Sequence, residues 1–183
     1  MSSYTPRLTP PDPYDTRWIN VSYGGLNKCI VRNTATGSVL PNCTGYVHGR
    51  YLELTGLDDC PMYLGNANGY FGYTADGLPR GQEPALGAVL CFDGGAGHVC
   101  VVEEIIDENT IVTSDSNYSS DYFTTYTRYR QYGWQWAGAN LTYQGCIYNP
   151  YIQNTSRILL YLAAKKKRKR KEVGHGVQYI RYK

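Results

Sequence analysis

This chain contains four residues whose side chains could together cleave an amide bond. In chain order they are Cys43, His98, Asp115 and Asn117. In such a set a thiolate attacks the carbonyl carbon, an imidazole transfers the proton, and a further polar group fixes the imidazole ring. Cys43 follows Asn42 at the predicted start of a helix, where unpaired backbone N–H groups favour a thiolate. The spacing therefore predicts cysteine nucleophilic catalysis.

The base is assigned to His98 largely by elimination among the three histidines. His48 lies five residues after Cys43 on the same predicted helix, so at about 100° per residue its side chain points away from the thiol. His175 lies in the C-terminal tail. His98 follows a Gly-rich turn and begins a predicted strand, and strand alternation predicts that it shares with Cys100 a face directed towards the helix.

The third group and the oxyanion donors each have two candidates. Asp115 and Asn117 are predicted to share one face of the next strand, and either could orient the imidazole, although a carboxylate would also stabilise the imidazolium. The backbone N–H of Cys43 is one candidate oxyanion donor, and the side chain of Asn42 is another. Asn42 could equally serve only as the helix N-cap.

One helix and a following set of strands must position these side chains. Apolar residues at 3–4 residue spacing predict a helix over Cys43–Leu54, with Asn42 as N-cap and Gly56 as the stop. A short helix is predicted near residues 65–68. Residues 17–32 are predicted to form a short hairpin around Gly24-Gly25.

From residue 86 onwards the chain is rich in β-branched and aromatic residues. Strands are predicted over Ala88–Phe92, His98–Ile105, Thr110–Ser114 and Gly145–Tyr148, and the aromatic segment 121–144 could hold more strand. A helix followed by antiparallel strands is the pattern of an α+β fold, not of an alternating α/β fold.

The 183 residues are divided into three parts by composition. Residues 1–16, which are rich in proline, are predicted to be an extended leader, and residues 17–150 a catalytic domain. Residues 151–183 are a C-terminal extension with a basic run at 165–171. Residues 1–164 hold 9 Lys/Arg and 14 Asp/Glu, whereas residues 165–183 hold 9 Lys/Arg and one Glu. An acidic body with a basic tail argues against a dedicated nucleic-acid-binding protein.

The six cysteines are not expected to form a disulfide framework, because a nucleophilic Cys43 leaves an odd number of partners. Cys91 and Cys100 lie in apolar strand-like runs and are predicted to be buried thiols. No cluster of Cys and His has zinc-ligand spacing. Neither a metal nor another cofactor is predicted.

Four segments in matching order resemble the CHAP domains (cysteine, histidine-dependent amidohydrolases/peptidases). These segments are Leu40–Arg50, Gly65–Ala67, Gly87–Glu103 and Thr113–Tyr118. A further segment, Gly24–Ile30, is similar to one found in CHAP endolysins of phages of Gram-positive hosts. The resemblance extends from about residue 18 to residue 150 and rests on no single motif.

This resemblance implies a papain-like α+β fold, with a catalytic helix packed on an antiparallel sheet. It also implies hydrolysis of an amide bond in peptidoglycan, as an N-acetylmuramoyl-L-alanine amidase or as an endopeptidase. By matching position, Cys43 would be the nucleophile, His98 the base, and Asp115 with Asn117 the orienting groups.

Two positions depart from the family pattern. Asp115 stands where the family usually has Glu, so its contact to His98 is expected to be looser or to pass to Asn117. Some CHAP endolysins bind calcium just before the cysteine, but residues 34–40 contain no carboxylate here. Because calcium prefers carboxylate oxygens, no calcium site is predicted in that segment.

We expect a phage lysin held in the host cytoplasm until release, or carried in a virion, because no signal peptide or membrane span is present in the sequence. The expected partner is peptidoglycan of a Gram-positive wall, and the basic tail could add attraction to anionic wall polymers. No specific nucleic-acid partner is expected. The alternative is a non-catalytic structural or wall-binding phage module on a CHAP scaffold.

Overall fold

The computed structural model describes residues 4–12, 42–118, 121, 123–136 and 139–152 in full. It also describes the backbone of short strands at residues 19–20, 30–32 and 39–40. Four features of the sequence analysis lie outside the described residues. They are the basic run 165–171, His175, Cys29 and most of segment 34–40, which was considered for calcium. The predictions made for them stay predictions.

Helix α1 spans Cys43–Thr55, as the apolar spacing predicted to within one residue. Asn42 is its N-cap, and the side-chain oxygen of Asn42 accepts a hydrogen bond from the backbone N–H of Thr44 at 3.0 Å. Gly56 ends the helix at φ 68°, a left-handed conformation that glycine adopts without a Cβ penalty. Both predicted helix boundaries are therefore confirmed. A short 3₁₀ turn follows at Ala67–Gly69, where a short helix was predicted.

The main sheet is antiparallel throughout and has strand order β4-β9-β5-β6-β7-β8. Its strands are β4 (Arg80–Gly81), β5 (Val89–Asp93), β6 (His98–Asp107), β7 (Thr110–Asp115), β8 (Thr124–Tyr129) and β9 (Thr142–Ile147). A second 3₁₀ turn, Arg130–Tyr132, follows β8. A helix packed on this sheet confirms the predicted α+β, papain-like fold. Strand β4 was not predicted, and β8 lies in the aromatic segment for which no strand bounds were given.

A smaller sheet is formed by β1 (Ile19–Asn20), β2 (Ile30–Arg32) and β3 (Val39–Leu40), in that order. Strand β1 pairs with β2 in parallel, and β2 pairs with β3 antiparallel. Two parallel strands cannot be joined by a tight turn, because the chain must return to the same end before pairing. The hairpin predicted around Gly24-Gly25 is therefore wrong.

Alternation along the central strands produces two apolar layers, one on each face of the main sheet. On one face α1 buries Tyr46, Val47 and Tyr51 against Val99 and Val101 of β6. The opposite layer consists of Ala85, Ala88, Leu90, Phe92, Cys100, Val102, Ile111, Trp134 and Cys146.

Cys100 was predicted to face the helix but packs in the opposite layer. Alternation along a strand predicts which residues share a face, but it does not predict which of the two faces packs against the helix. Tertiary packing decides that, so the prediction was wrong. Cys91 and Cys100 are both fully buried, as predicted.

A buried charge network joins the leader, the helix and β6. Glu103 of β6 accepts two hydrogen bonds from the guanidinium of Arg50 in α1, at 2.8 and 3.0 Å. The hydroxyl of Tyr4 lies 2.6 Å from Glu103, and Ser114 of β7 donates to the same carboxylate at 2.6 Å. Arg7 forms an ion pair with Glu53. The leader segment 4–12 is thus attached to the body by specific polar contacts.

Candidate active site

The placement of His98 depends on the glycine that precedes it. Gly97 has φ 76°, and a Cβ at this position would lie 2.3 Å from the backbone nitrogen of Asn68. The close packing of the two segments is held by a hydrogen bond from Asn68 N–H to the carbonyl of Ala96 at 3.0 Å. Gly97 therefore lets the turn press against the 3₁₀ segment, and His98 begins β6 immediately afterwards.

Asp115, the last residue of β7, contacts the imidazole directly. Its Oδ2 lies 2.7 Å from Nε2 of His98, and its Oδ1 accepts a hydrogen bond from the Thr113 hydroxyl at 2.7 Å. The carboxylate is 0% exposed. The contact from Asp115 to His98 was expected to be looser than that of a glutamate at the same position. This expectation is wrong, because His98 and Asp115 lie at the same end of the adjacent strands β6 and β7.

The Cys43 thiol interacts with the His98 ring and raises the pKa of the imidazole. Because Nε2 faces Asp115, Nδ1 is the ring nitrogen left for the thiol. Burial lowers the pKa of His98, but the interactions with Asp115 and Cys43 outweigh burial and raise that pKa to about 9. The site therefore favours an imidazolium between two groups that can be negatively charged.

Arg128 of β8 completes the polar cluster, and the sequence analysis missed it. Its guanidinium donates to Asp115 at 2.5 Å, to the Thr113 hydroxyl at 2.7 Å and to the carbonyl of Trp134 at 2.9 Å. Burial alone would raise the pKa of the Asp115 carboxyl, but Arg128 and His98 hold it below its usual value. The only sequence signal was an arginine within an aromatic, β-branched segment.

A groove of about 460 Å³ opens beside the imidazole. The residues that line this groove are Gly97, His98, Asn117, Tyr118, Asp121, Tyr126, Trp136, Ala139, Asn140 and Leu141. The Trp136 ring meets the His98 ring edge-on at a centroid distance of 5.2 Å. A mixed aromatic and amide lining of this kind suits a peptide or a sugar-bearing substrate.

Asn117 lies in this groove, but its side-chain amide donates to the Tyr126 hydroxyl at 3.1 Å. The observed orienting contact to His98 thus comes from Asp115. Asn117 is placed to meet a substrate, and its catalytic role stays a prediction.

Asn42 acts as the helix cap, one of its two predicted roles. Its Oδ1 accepts from both the backbone N–H and the hydroxyl of Thr44, at 3.0 and 2.7 Å, and its own N–H donates to Ser116 at 3.0 Å. Cys43 is the first residue of α1, so its N–H has no partner within the helix. The oxyanion roles of both residues stay predictions.

His48 is buried in the core of the protein, and its orientation away from the thiol stays a prediction. Its Nε2 lies 3.1 Å from the carbonyl of Tyr63 and 3.1 Å from the hydroxyl of Tyr70.

His98, Cys100 and Asp115 bring potential metal-ligand atoms within 4.8 Å of one another. A cation is disfavoured at this cluster by its surroundings. The Asp115 carboxylate already forms an ion pair with the Arg128 guanidinium. Burial raises the pKa of the Cys100 thiol well above its usual value, so this thiol stays protonated and is a poor metal ligand. No disulfide joins any two of the five described cysteines, which are Cys43, Cys60, Cys91, Cys100 and Cys146.

Among the described residues, no helix has both the length and the apolar character needed to span a bilayer.

Comparison with known families gives one match. The CHAP domain model matches residues 33–117, which include Cys43, His98, Asp115 and Asn117. A search of curated proteins found no match. The motif resemblance and the family match thus agree on the same segment, and both support a CHAP domain at residues 33–117.

Proposed function

We propose that this protein is a cysteine amidohydrolase that cleaves an amide bond in bacterial peptidoglycan. The observation that carries the proposal is the single buried imidazole that contacts both the Cys43 thiol and the Asp115 carboxylate. The groove beside this imidazole offers space for an extended substrate. The CHAP match is to a family of cysteine- and histidine-dependent amidohydrolases and peptidases.

The reaction would proceed through a thioester. The Cys43 thiolate attacks the carbonyl carbon, and the His98 imidazolium gives its proton to the leaving nitrogen as the C–N bond breaks. A water molecule then attacks the thioester carbon while neutral His98 accepts a proton from it. The C–S bond breaks, which releases the carboxylic acid and restores the thiolate–imidazolium pair. Asp115 stabilises the imidazolium in both halves of the cycle.

The backbone N–H of Cys43 is proposed as an oxyanion donor, because it lies next to the sulfur at a helix N-terminus. Asn42 is proposed as a second donor in addition to its capping role. Asn117 is proposed to hold the substrate in the groove through its amide.

The finer context that we propose is a phage lysin, either an endolysin or a virion-associated enzyme. The bond would be the N-acetylmuramoyl-L-alanine amide or a peptide bond of the stem or cross-bridge. The proposed target is a Gram-positive wall, reached from the host cytoplasm after release or delivered with a virion. These proposals rest on the motif resemblance.

The test is to incubate purified wild type, Cys43→Ala and His98→Ala with cell walls from several Gram-positive species. Turbidity reports clearing, and mass spectrometry of the soluble fragments identifies the new amine and carboxyl ends. Cys60→Ala is the matched control, because Cys60 is a buried thiol that packs in the layer on the helix side. We expect clearing by wild type and Cys60→Ala and a loss of at least 1,000-fold in both active-site variants.

Equal clearing by wild type and Cys43→Ala would remove the thiol from the mechanism. If no wall is cleared by any folded form, yet wild type sediments with walls, the non-catalytic wall-binding module becomes the better description.

A further inference from the structure

Arg128 of β8 is a fully buried cation. It is 0% exposed, and its guanidinium carbon lies 5.3 Å from the ring centroids of Phe92, Tyr126 and Trp136. Desolvating a guanidinium is costly unless it is paired and its donors are satisfied. Here the donors are satisfied by Asp115, by Thr113 and by the carbonyl of Trp134.

Two nitrogen groups converge on one oxygen of Asp115. Nε2 of His98 lies 2.7 Å from Oδ2, and Nη2 of Arg128 lies 2.5 Å from the same atom. The other oxygen, Oδ1, accepts from Thr113 at 2.7 Å. A proton moving from the imidazolium onto Oδ2 would place a neutral acid directly against a buried guanidinium. This arrangement makes that transfer unfavourable.

We propose that Arg128 is a positioning residue that holds Asp115 as a carboxylate, so that the catalytic proton stays on His98 and the Cys43 thiolate keeps its counterion. The inference rests on the proposed use of Cys43 as a nucleophile. It acts through Asp115, and Arg128 itself does not line the groove.

The other ionisable groups around Asp115 come from three elements. Strand β6 contributes His98 and Cys100, and β8 contributes Tyr126 beside the guanidinium. Helix α1 contributes Cys43, which interacts with His98. The Cys100 thiol stays protonated because burial raises its pKa. Within this set, Arg128 is the fixed positive charge.

The experiment measures the rate at which iodoacetamide alkylates Cys43 between pH 4 and pH 10, with mass spectrometry to locate the label. The alkylation rate reports the thiolate and needs no wall substrate. The pH range over which this rate rises in wild type, called the acid limb, is the reference for the variants. Neutral variants Arg128→Gln and Arg128→Met should move this acid limb upward by one pH unit or more. The rate on the limb should therefore fall about tenfold, because each unit is a factor of ten in the thiolate fraction.

The upward direction of this shift in pH follows from the protonation of Asp115. Without the guanidinium its carboxyl is protonated at a higher pH, and the buried imidazolium then loses the charge that stabilises it. Arg128→Lys retains a positive charge but not the planar fork, so its limb should lie between wild type and the neutral variants. Arg130→Met is the matched control, because Arg130 is an exposed arginine paired with Glu83, and its profile should equal that of wild type.

Circular dichroism identifies the folded variants, and two neutral substitutions are used so that one misfolded variant does not end the test. An acid limb unchanged from wild type in a folded neutral variant would overturn the proposal. A shift in Arg130→Met equal to that in the Arg128 variants would also overturn it. If wild type cleared no wall but the Arg128 shift were found, the proposed substrate would fail while the role of Arg128 stood.

Discussion

Burial and polar contacts have opposing effects on the protonation of His98. The ring is 6% exposed, and burial of this degree disfavours the imidazolium. The Asp115 carboxylate, 2.7 Å from Nε2, and the Cys43 thiol favour the imidazolium. The pKa of about 9 means that both effects are large and that the polar contacts prevail.

This balance predicts a pH-dependent stability. The folded-state pKa of about 9 lies above the value of about 6.5 of an unfolded histidine. The contribution of His98 is therefore fully present below about pH 6.5 and is lost as the pH rises through about 9. The difference in free energy of unfolding between wild type and His98→Gln should shrink by roughly 3 kcal/mol from pH 6 to pH 10. Urea denaturation at fixed pH values measures it, and a constant difference would contradict the predicted pKa.

At the residue scale, the sequence predicted the contacts that need only identity and order. The predicted contact between His98 and Asp115 is confirmed, whereas the catalytic roles of Cys43, His98 and Asp115 stay predictions. Arg128 was not found, because its role depends on a long side chain reaching along β8 to a neighbouring strand. That reach requires the strand register, which the sequence of residues 121–144 did not reveal.

At the scale of elements, the connection between β5 and β6 positions the imidazole. Gly97 packs its α-carbon against Asn68, and Gly95 in the same turn has φ 60° with no atom within 4 Å of a built Cβ. The two glycines share a left-handed backbone but differ in the space beside them. They therefore form a matched pair for substitution.

We expect Gly95→Ala to cost about 1 kcal/mol of stability, which is the penalty of a left-handed non-glycine residue. Gly97→Ala carries the same penalty and also forces backbone atoms apart, so it should cost roughly 1–3 kcal/mol more. Because His98 is the next residue, the rate of wall clearing should fall at least tenfold in Gly97→Ala and stay near wild type in Gly95→Ala. Thermal unfolding and turbidity measure the two effects. Equal behaviour of the variants would show that the close approach is unimportant.

Element boundaries were predictable where local chemistry determines them, as at the Asn42 cap and the Gly56 stop of α1. The pairing of β1 with β2 and the face of β6 that meets α1 were not. Both depend on which distant segments come together, and a period of two cannot distinguish one face of a strand from the other.

At the scale of the whole molecule, the charge is separated along the chain. The acidic part precedes residue 165, and the basic run 165–171 follows it. We expect this run to attract the protein to anionic wall polymers, without a role in bond cleavage. Such attraction is screened by salt, with a Debye length of about 10 Å at 0.1 M.

Replacing the basic residues of the run 165–171 by Gln should reduce co-sedimentation with walls rich in anionic polymer at low salt. It should leave hydrolysis of a small soluble wall fragment unchanged. The matched control replaces each lysine of the run by Arg, which keeps the charge. Binding that stays the same in the Gln variant, or that does not weaken with added salt, would count against an electrostatic role.

The ion pair between Arg50 and Glu103 has a consequence for protein engineering. Arg50 lies on the helix that begins with Cys43, and Glu103 lies on the strand that begins with His98. A chimera that took this helix from one parent and this strand from another would have to inherit both partners together. Without Arg50, the carboxylate of Glu103, which is 0% exposed, would be left in the interior without its cation. The pair thus sets where crossover points can be placed in such chimeras.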